Sequence, residues 1–189
     1  MTKKEVLSVF DKYNALLKGH FKLSSGLHSE KYLQCALVLQ HPDMAEKLAK
    51  ELAKKFSQEK IGVVIGPALG GITLAYEVAR SLGVRGIFAE RHDGKMILRR
   101  GFSIEKGEKA LVVEDVVTTG GSTKEVIDVV KDCGGTVVGV GSIVDRSDGT
   151  IDFGVEFKPL AKIEIETFTE KVCPLCKSGI PITKPGSRR

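Results

Sequence analysis

Two apolar patterns alternate along the chain. One is an unbroken run of aliphatic residues; the other is a stripe recurring every three or four positions. Residues 61–66 (Ile-Gly-Val-Val-Ile-Gly), 84–89, 110–114 and 136–144 show the first pattern and predict buried strands. Residues 42–56, with Met44, Ala45, Leu48, Leu52 and Phe56 on one face, show the second, as do 72–82 and 122–133, and these predict helices. Pro42 suits a first helical turn, and Gly83 and Gly134 fit helix ends. Val6, Phe10, Tyr13, Leu16 and Leu17 predict an N-terminal helix that stops at Lys18-Gly19-His20. Residues 21–26 predict a short extended segment and a turn. Further turns are predicted at 67–71, 106–108 and 145–149, and a hairpin arm at 96–102 after the polar stretch 90–95. From Cys173 onward, Pro174, Pro181 and Pro185 predict an irregular tail with loose final residues.

Strands alternating with helices predict an α/β fold: a central parallel sheet flanked by helices. Ligands of such sheets bind beyond the carboxyl ends of the strands. Three polar strand tips, at 66–71, 114–120 and 145–149, therefore fall on one edge, and their convergence is what singles out a site.

With 189 residues and no internal repeat, a single domain spanning 1–189 is expected. Twenty-nine Lys and Arg against 24 Asp and Glu leave a net charge of +5, which suits an anionic small molecule but also an ordinary solvated surface. No apolar run reaches membrane-spanning length, and the first residues lack the apolar core of a signal peptide, so a cytoplasmic protein without a membrane partner is expected. Four cysteines are too few for a disulfide scaffold. Cys35 and Cys133 sit in apolar surroundings, and Cys173 and Cys176 form one CxxC.

The informative stretch is 111–123, Leu-Val-Val-Glu-Asp-Val-Val-Thr-Thr-Gly-Gly-Ser-Thr. Three apolar residues are expected to end a strand. Glu114 and Asp115 follow at its tip. Val116, Val117, Thr118, Thr119, Gly120, Gly121 and Ser122 then lead into a helix. Backbone N–H groups of such a loop and helix start can hold a phosphate, and glycine lets the chain approach it closely. The carboxylates would meet sugar hydroxyls and a hard cation. Neither GxGxxG after a strand nor GxxxxGK[ST] is present, so the common nucleotide fingerprints do not apply. A plain strand-to-helix connection is the bland alternative, but two adjacent acids before a hydroxyl- and glycine-rich loop argue against it.

This stretch resembles the phosphoribosyl pyrophosphate (PRPP) motif of the type I phosphoribosyltransferases. Three further segments resemble the orotate phosphoribosyltransferases within that family: 19–29 (Gly-His-Phe-Lys-Leu-Ser-Ser-Gly-Leu-His-Ser), 66–71 (Gly-Pro-Ala-Leu-Gly-Gly) and Val144-Asp145-Arg146-Ser147. Cys173-Pro174-Leu175-Cys176 is similar to the tail of one bacterial and archaeal branch. The resemblance covers essentially the whole chain. It implies transfer of ribose 5-phosphate from PRPP to orotate, giving orotidine 5'-monophosphate and pyrophosphate in pyrimidine synthesis. It implies that Glu114 and Asp115 hold the ribose hydroxyls and that residues 116–122 wrap the 5'-phosphate. It implies Mg²⁺ held through PRPP and water, with Glu114 and Asp115 the residues that could reach it. It also implies a homodimer with shared active sites and a small hood built from 1–40 and 150–189.

The chain departs from many relatives in having no lysine within 23–26 or at the 69–70 turn. In the mobile loop that relatives use for pyrophosphate, Arg91 and Lys95 are the expected contacts, with Lys95 grouped with Glu114 and Asp115 as catalytic. Arg99 and Arg100 also read as a solvated charged hairpin. Arg146 can be argued without the resemblance, because a planar guanidinium reads a carboxylate in bidentate fashion and orotate differs from uracil by one. An ion pair with Asp145 or Asp148 is its structural alternative. Thr118 is expected at the base.

A purine transferase, a PRPP-binding regulator and a nucleic-acid-binding protein are the other classes. Arg146, the lack of a helix-turn-helix, and the lack of a clustered basic face or aromatic platform argue against them in turn. The CxxC reads most simply as a structural turn with free thiols, since four ligands are normal for zinc and no histidine lies near it in sequence; a metal shared with another pair, or between subunits, is the alternative. His20 and His41 are expected at helix ends or the surface. His28 could pack or belong to the orotate segment.

Overall fold

A computed structural model describes residues 1–23, 25–147, 149 and 151–185. Ser24, Asp148 and the last four residues, on which some of the expectations above fall, lie outside that set. The core is a six-stranded sheet in the order β5-β4-β3-β6-β7-β8. Its strands are β3 (Val63–Pro67), β4 (Arg85–His92), β5 (Lys95–Ile97), β6 (Lys109–Val117), β7 (Thr136–Asp145) and β8 (Phe157–Lys162). All neighbouring pairs are parallel except β4 with β5, which form a hairpin.

Alternate residues of the central strands explain why both faces must be covered. Val64, Leu111 and Val113 belong to one buried cluster, packed with Leu48 and Leu52 of α3 (Pro42–Lys54) and Leu74 and Val78 of α4 (Gly70–Leu82). Val63, Ile65 and Val112 belong to the other, packed with Val126, Ile127 and Val130 of α5 (Gly121–Asp132). Each fully buried Leu or Val contributes about 1.5–3 kcal/mol, so the two clusters fix which face of the sheet each strand residue takes. Among the described residues no helix is long and apolar enough to cross a membrane.

The N-terminal helix is shorter than its stripe predicts. α1 runs Lys3–Lys12, opened by a reciprocal Thr2–Glu5 capping box. Asn14 then takes a left-handed conformation (φ 51°), and the Ala15 N–H reaches back to the Phe10 carbonyl at 2.8 Å. That is a helix stop, since Asn tolerates this conformation and the backbone bond satisfies a last-turn carbonyl. Leu16 to His20 therefore lie in a strand, β1 (Leu16–Lys22), antiparallel to β2 (His28–Leu33). The apolar spacing simply continued past the stop.

A short helix, α2 (Ala36–Leu39), joins β2 to α3. β8 was also not predicted: it is short, contains Pro159, and occupies the sheet edge, where proline is tolerated. β6 runs three residues past the predicted end, so the acid pair sits within the strand's last turn of pleat rather than beyond it. The tail contains a 3₁₀ turn at Glu170–Val172 and α6 (Pro174–Lys177). Cys133, expected among apolar residues, is exposed.

α1 is tied to α3 where the N-terminal ammonium pairs with Glu51, which also accepts from Lys54 Nζ at 2.6 Å. The bond from Lys54, then the one from the ammonium, pull the Glu51 carboxyl down to about 2. A carboxyl depressed in the fold adds stability above its unfolded value, near 4.5, and loses it as the pH falls through about 2. Glu51→Gln should thus lower the thermal midpoint at pH 7 but leave it equal to the parent near pH 2; an equal difference at both pH values would disprove the linkage.

Candidate functional site

The carboxyl ends of β3, β6 and β7 open onto one cavity of about 650 Å³. The β6–α5 segment forms its floor and one wall. Glu114 is buried and Asp115 half-buried at the end of β6, and both line the cavity, as do Val116, Val117, Thr118, Thr119, Gly120, Gly121 and Ser122. Gly120 starts α5 with φ +73°, and a Cβ there would come within 3.0 Å of the Phe153 ring. Only glycine fits that turn. The N-cap residue Gly120 has no side chain to stand between the first turn of α5 and the cavity, which that turn borders. With the positive end of the helix dipole this makes an anion cradle.

Burial pushes the Asp115 carboxyl up. A bond with Glu114 and the Val116 N–H, which donates to Asp115 Oδ1 at 2.9 Å, partly oppose that rise. The Asp115 N–H donates to Glu114 Oε1 at 3.3 Å. Oxygen donors of this kind suit a hard cation such as Mg²⁺ or sugar hydroxyls.

The turn after β3 closes the opposite wall, with Pro67, Ala68, Leu69 and Gly70 lining the cavity and a cis peptide between Ala68 and Leu69. Gly70 lies directly against Asp115: a Cβ would stand 2.9 Å from both carboxylate oxygens. Gly70→Ala should therefore displace the carboxylate and lower turnover by about 100-fold, the usual scale for a misplaced catalytic group. A kcat within twofold of the parent would show that the carboxylate's position does not matter.

Arg146 follows the last residue of β7. Its N–H donates to the Val117 carbonyl at 2.8 Å, which brings the β6 and β7 tips side by side. Arg146 lines the cavity, and its Nε is buried with no hydrogen-bond partner among the described residues. Desolvation lowers its pKa, with Tyr32 opposing. Asp145, offered above as an ion-pair partner, instead accepts from the Ser147 N–H at 2.8 Å. Asp148, the other one, lies outside the described residues. A desolvated guanidinium with an unused donor is a receptor for an anion.

Arg91 and Lys95 lie on the β4–β5 hairpin, exposed, and neither lines this cavity. Arg91 pairs with Glu125 of α5 and donates to the Gly94 carbonyl at 3.0 Å. Arg100 and Arg99 close on Glu90 at 3.1 and 3.9 Å, as a charged hairpin would.

Sequence reasoning missed several lining residues. Tyr32 and Gln34 come from β2 and the residues after it. Tyr32 feels both Asp115 and Arg146, and burial raises its phenol. Lys22 and Lys184 also line the cavity and supply positive charge that the 23–26 and 69–70 segments lack. A strand pattern at 28–33 was the one available signal for Tyr32, and Lys184 had none.

Residues 37–172 match the family described as "Phosphoribosyl transferase domain". An orotate phosphoribosyltransferase of Caldanaerobacter subterraneus subsp. tengcongensis is 61% identical over 189 residues, 100% of both chains. One from Pelotomaculum thermopropionicum is 58% identical, again over 100% of both. The crystal structure of orotate phosphoribosyltransferase from Aeropyrum pernix superposes with a TM-score of 0.68 at 27% identity, covering 92% of this chain and 98% of that one.

Proposed function

Since the chain belongs to the orotate phosphoribosyltransferase family, an enzyme family that transfers the ribose 5-phosphate of PRPP to orotate, we propose that it does so in the cavity at the ends of β3, β6 and β7. The observation that carries this reading is that the acid pair, the glycine-led start of α5 and an Arg146 whose Nε has no partner among the described residues share one cavity.

Residues 118–122 hold the 5'-phosphate through backbone N–H groups and hydroxyls. Glu114 and Asp115 hold the ribose hydroxyls. Arg146 grips the orotate carboxylate, with Thr118 and Tyr32 beside the base. Orotate N1, deprotonated, attacks the anomeric carbon. The C–N bond forms as the bond to the pyrophosphate oxygen breaks, and the sugar becomes oxocarbenium-like between the two. The side chains act by positioning and by fixed charge, so no covalent enzyme intermediate is needed. The Asp115 carboxylate faces developing positive charge on the sugar, and Lys22 and Lys184 offer charge to the departing anion. Glu114 and Asp115 are the residues that would hold Mg²⁺, directly or through water, and the ion would supply further positive charge to the leaving group.

Arg91 and Lys95 fit this scheme if the β4–β5 hairpin serves a second copy of the chain, since within one chain they stand away from the cavity. A homodimer with shared sites, in the cytoplasm, follows as part of the proposal, as does a hood from 1–40 and 150–189 over a single catalytic domain.

Loss of orotate absorbance on mixing protein, orotate, PRPP and Mg²⁺ tests the reading. Turnover with orotate and none with adenine or hypoxanthine is expected. Turnover with a purine alone would move the chain to a sister activity.

A further inference from the structure

Away from the cavity, two histidines and the CxxC pair converge from three distant parts of the chain. His20 from β1, His28 from β2, and Cys173 and Cys176 from the tail each bring one ligating atom into a group whose members all lie within 4.8 Å of one another. His20 Nε2 is 3.0 Å from His28 Nδ1, 3.6 Å from Cys173 Sγ and 3.7 Å from Cys176 Sγ. Cys176 Sγ is 3.2 Å from His28 Nδ1. We propose that these four side chains form a structural zinc site that fastens the C-terminal tail to the β1–β2 hairpin.

Tetrahedral zinc, with bonds of about 2.3 Å to sulfur and 2.0–2.1 Å to nitrogen, places its ligand atoms roughly 3.3–3.8 Å apart. Of the four separations given, two already match and two need to open by a few tenths of an ångström, while the remaining two pairs lie within 4.8 Å. His20 is already oriented for this. His20 Nδ1 lies 2.7 Å from the Ile180 carbonyl, so this nitrogen carries the proton and donates, leaving the Nε2 lone pair turned to the cluster. Cys173 immediately precedes α6, and Cys176 follows one turn later, the C-x₂-C spacing that closes on one ion. A set of two thiolates and two imidazoles selects zinc over Mg²⁺ or Ca²⁺. Both histidines and Cys173 are buried; Cys176 is half-buried beside a shallow opening lined by Lys22, Glu170 and Gly179, which gives an ion a way in. Binding sends two thiol protons to solvent.

The tail needs such a tie. α6 has four residues and buries none of its side chains, and Val172, Ile180 and Ile182 are exposed. The other bonds from tail to hairpin include backbone ones, Lys22 N–H to the Thr183 carbonyl, Thr183 N–H to the His20 carbonyl, and a reciprocal pair between His28 and Phe168, all at 2.8–2.9 Å, and hydroxyl ones from Thr183 Oγ1 to the His20 carbonyl at 3.3 Å and from Ser29 Oγ to the Glu166 carbonyl at 3.0 Å. The next residue, Lys184, lines the large cavity. The ion would thus hold one wall of that cavity without touching any substrate.

The test uses the full, untagged chain, reduced. About one zinc per chain by elemental analysis is expected. After chelator stripping, Co²⁺ should give a thiolate-to-cobalt charge-transfer band and intense visible bands that saturate near one equivalent and are bleached by Zn²⁺. Stripping should lower the thermal midpoint by roughly 5 °C or more, restored by Zn²⁺. Cys173→Ser/Cys176→Ser should show no band and a midpoint indifferent to chelator. If that variant does not fold, titration of the stripped parent decides alone. No zinc together with no cobalt–thiolate band, a band retained in the variant, or a Cys173–Cys176 disulfide with no metal uptake after reduction would each overturn the proposal.

Discussion

Asp115→Asn is expected to lower kcat by about 10²–10³-fold, the scale seen when one preorganised electrostatic group is removed from a closed site. The fold should not suffer, and that is what makes the experiment clean. Asn keeps an oxygen for the Val116 N–H, now bonded to Oδ1 at 2.9 Å. Burial raises the Asp115 carboxyl, so its ionised form costs stability: the cost is absent at low pH, grows as the pH rises above the unfolded value near 3.8, and is complete once the pH has passed the folded-state value. The amide carries no such cost. The thermal midpoint of Asp115→Asn at pH 7 should therefore equal or exceed that of the parent while turnover collapses. Steady-state rates and a melting curve on one preparation check both parts. Near-parental turnover would remove Asp115 from the chemistry, and a lost midpoint would make the residue structural.

The second large effect concerns the base. Arg146→Ala should raise KM for orotate by about 100-fold and KM for PRPP by no more than a few-fold, because a buried carboxylate deprived of its guanidinium loses about 2–5 kcal/mol. Arg146→Lys should not restore the affinity, since an ammonium cannot make the paired bonds of the planar fork. The fold is expected to survive: among the described residues the Nε is buried without a partner, and removing it takes away a desolvated donor. Equal losses for the two substrates would mean that Arg146 supports the cavity generally and does not read the base.

Both effects rest on residues that were legible in the sequence, and the reason is physical. β3, β6 and β7 are buried on both faces, so their sequences are nearly continuous aliphatic runs, and the polar residue that ends each run marks the sheet edge where ligands bind. Gly83, left-handed at φ 70°, stops α4 where the pattern said it would. The peripheral parts were harder. Leu16 and Leu17 keep helical spacing past Asn14, whose backbone conformation no hydrophobic pattern records, and this hid the β1–β2 hairpin and with it Tyr32. β8 is a short edge strand broken in appearance by Pro159. His20 was expected at a helix end and is instead buried beside Cys173 and Cys176, which lie more than 150 residues away along the chain. Spacing can reveal ligand pairs within a segment, but it says nothing of pairs that only the fold brings together.

The most direct measurement is a crystal structure of the protein with orotidine 5'-monophosphate. The account predicts the phosphate within hydrogen-bonding distance of backbone N–H groups between Thr118 and Ser122, the ribose hydroxyls on Glu114 and Asp115, and both carboxylate oxygens of the base on the Arg146 guanidinium. Nucleotide bound with its carboxylate away from Arg146, or its phosphate outside the 118–122 loop, would contradict it.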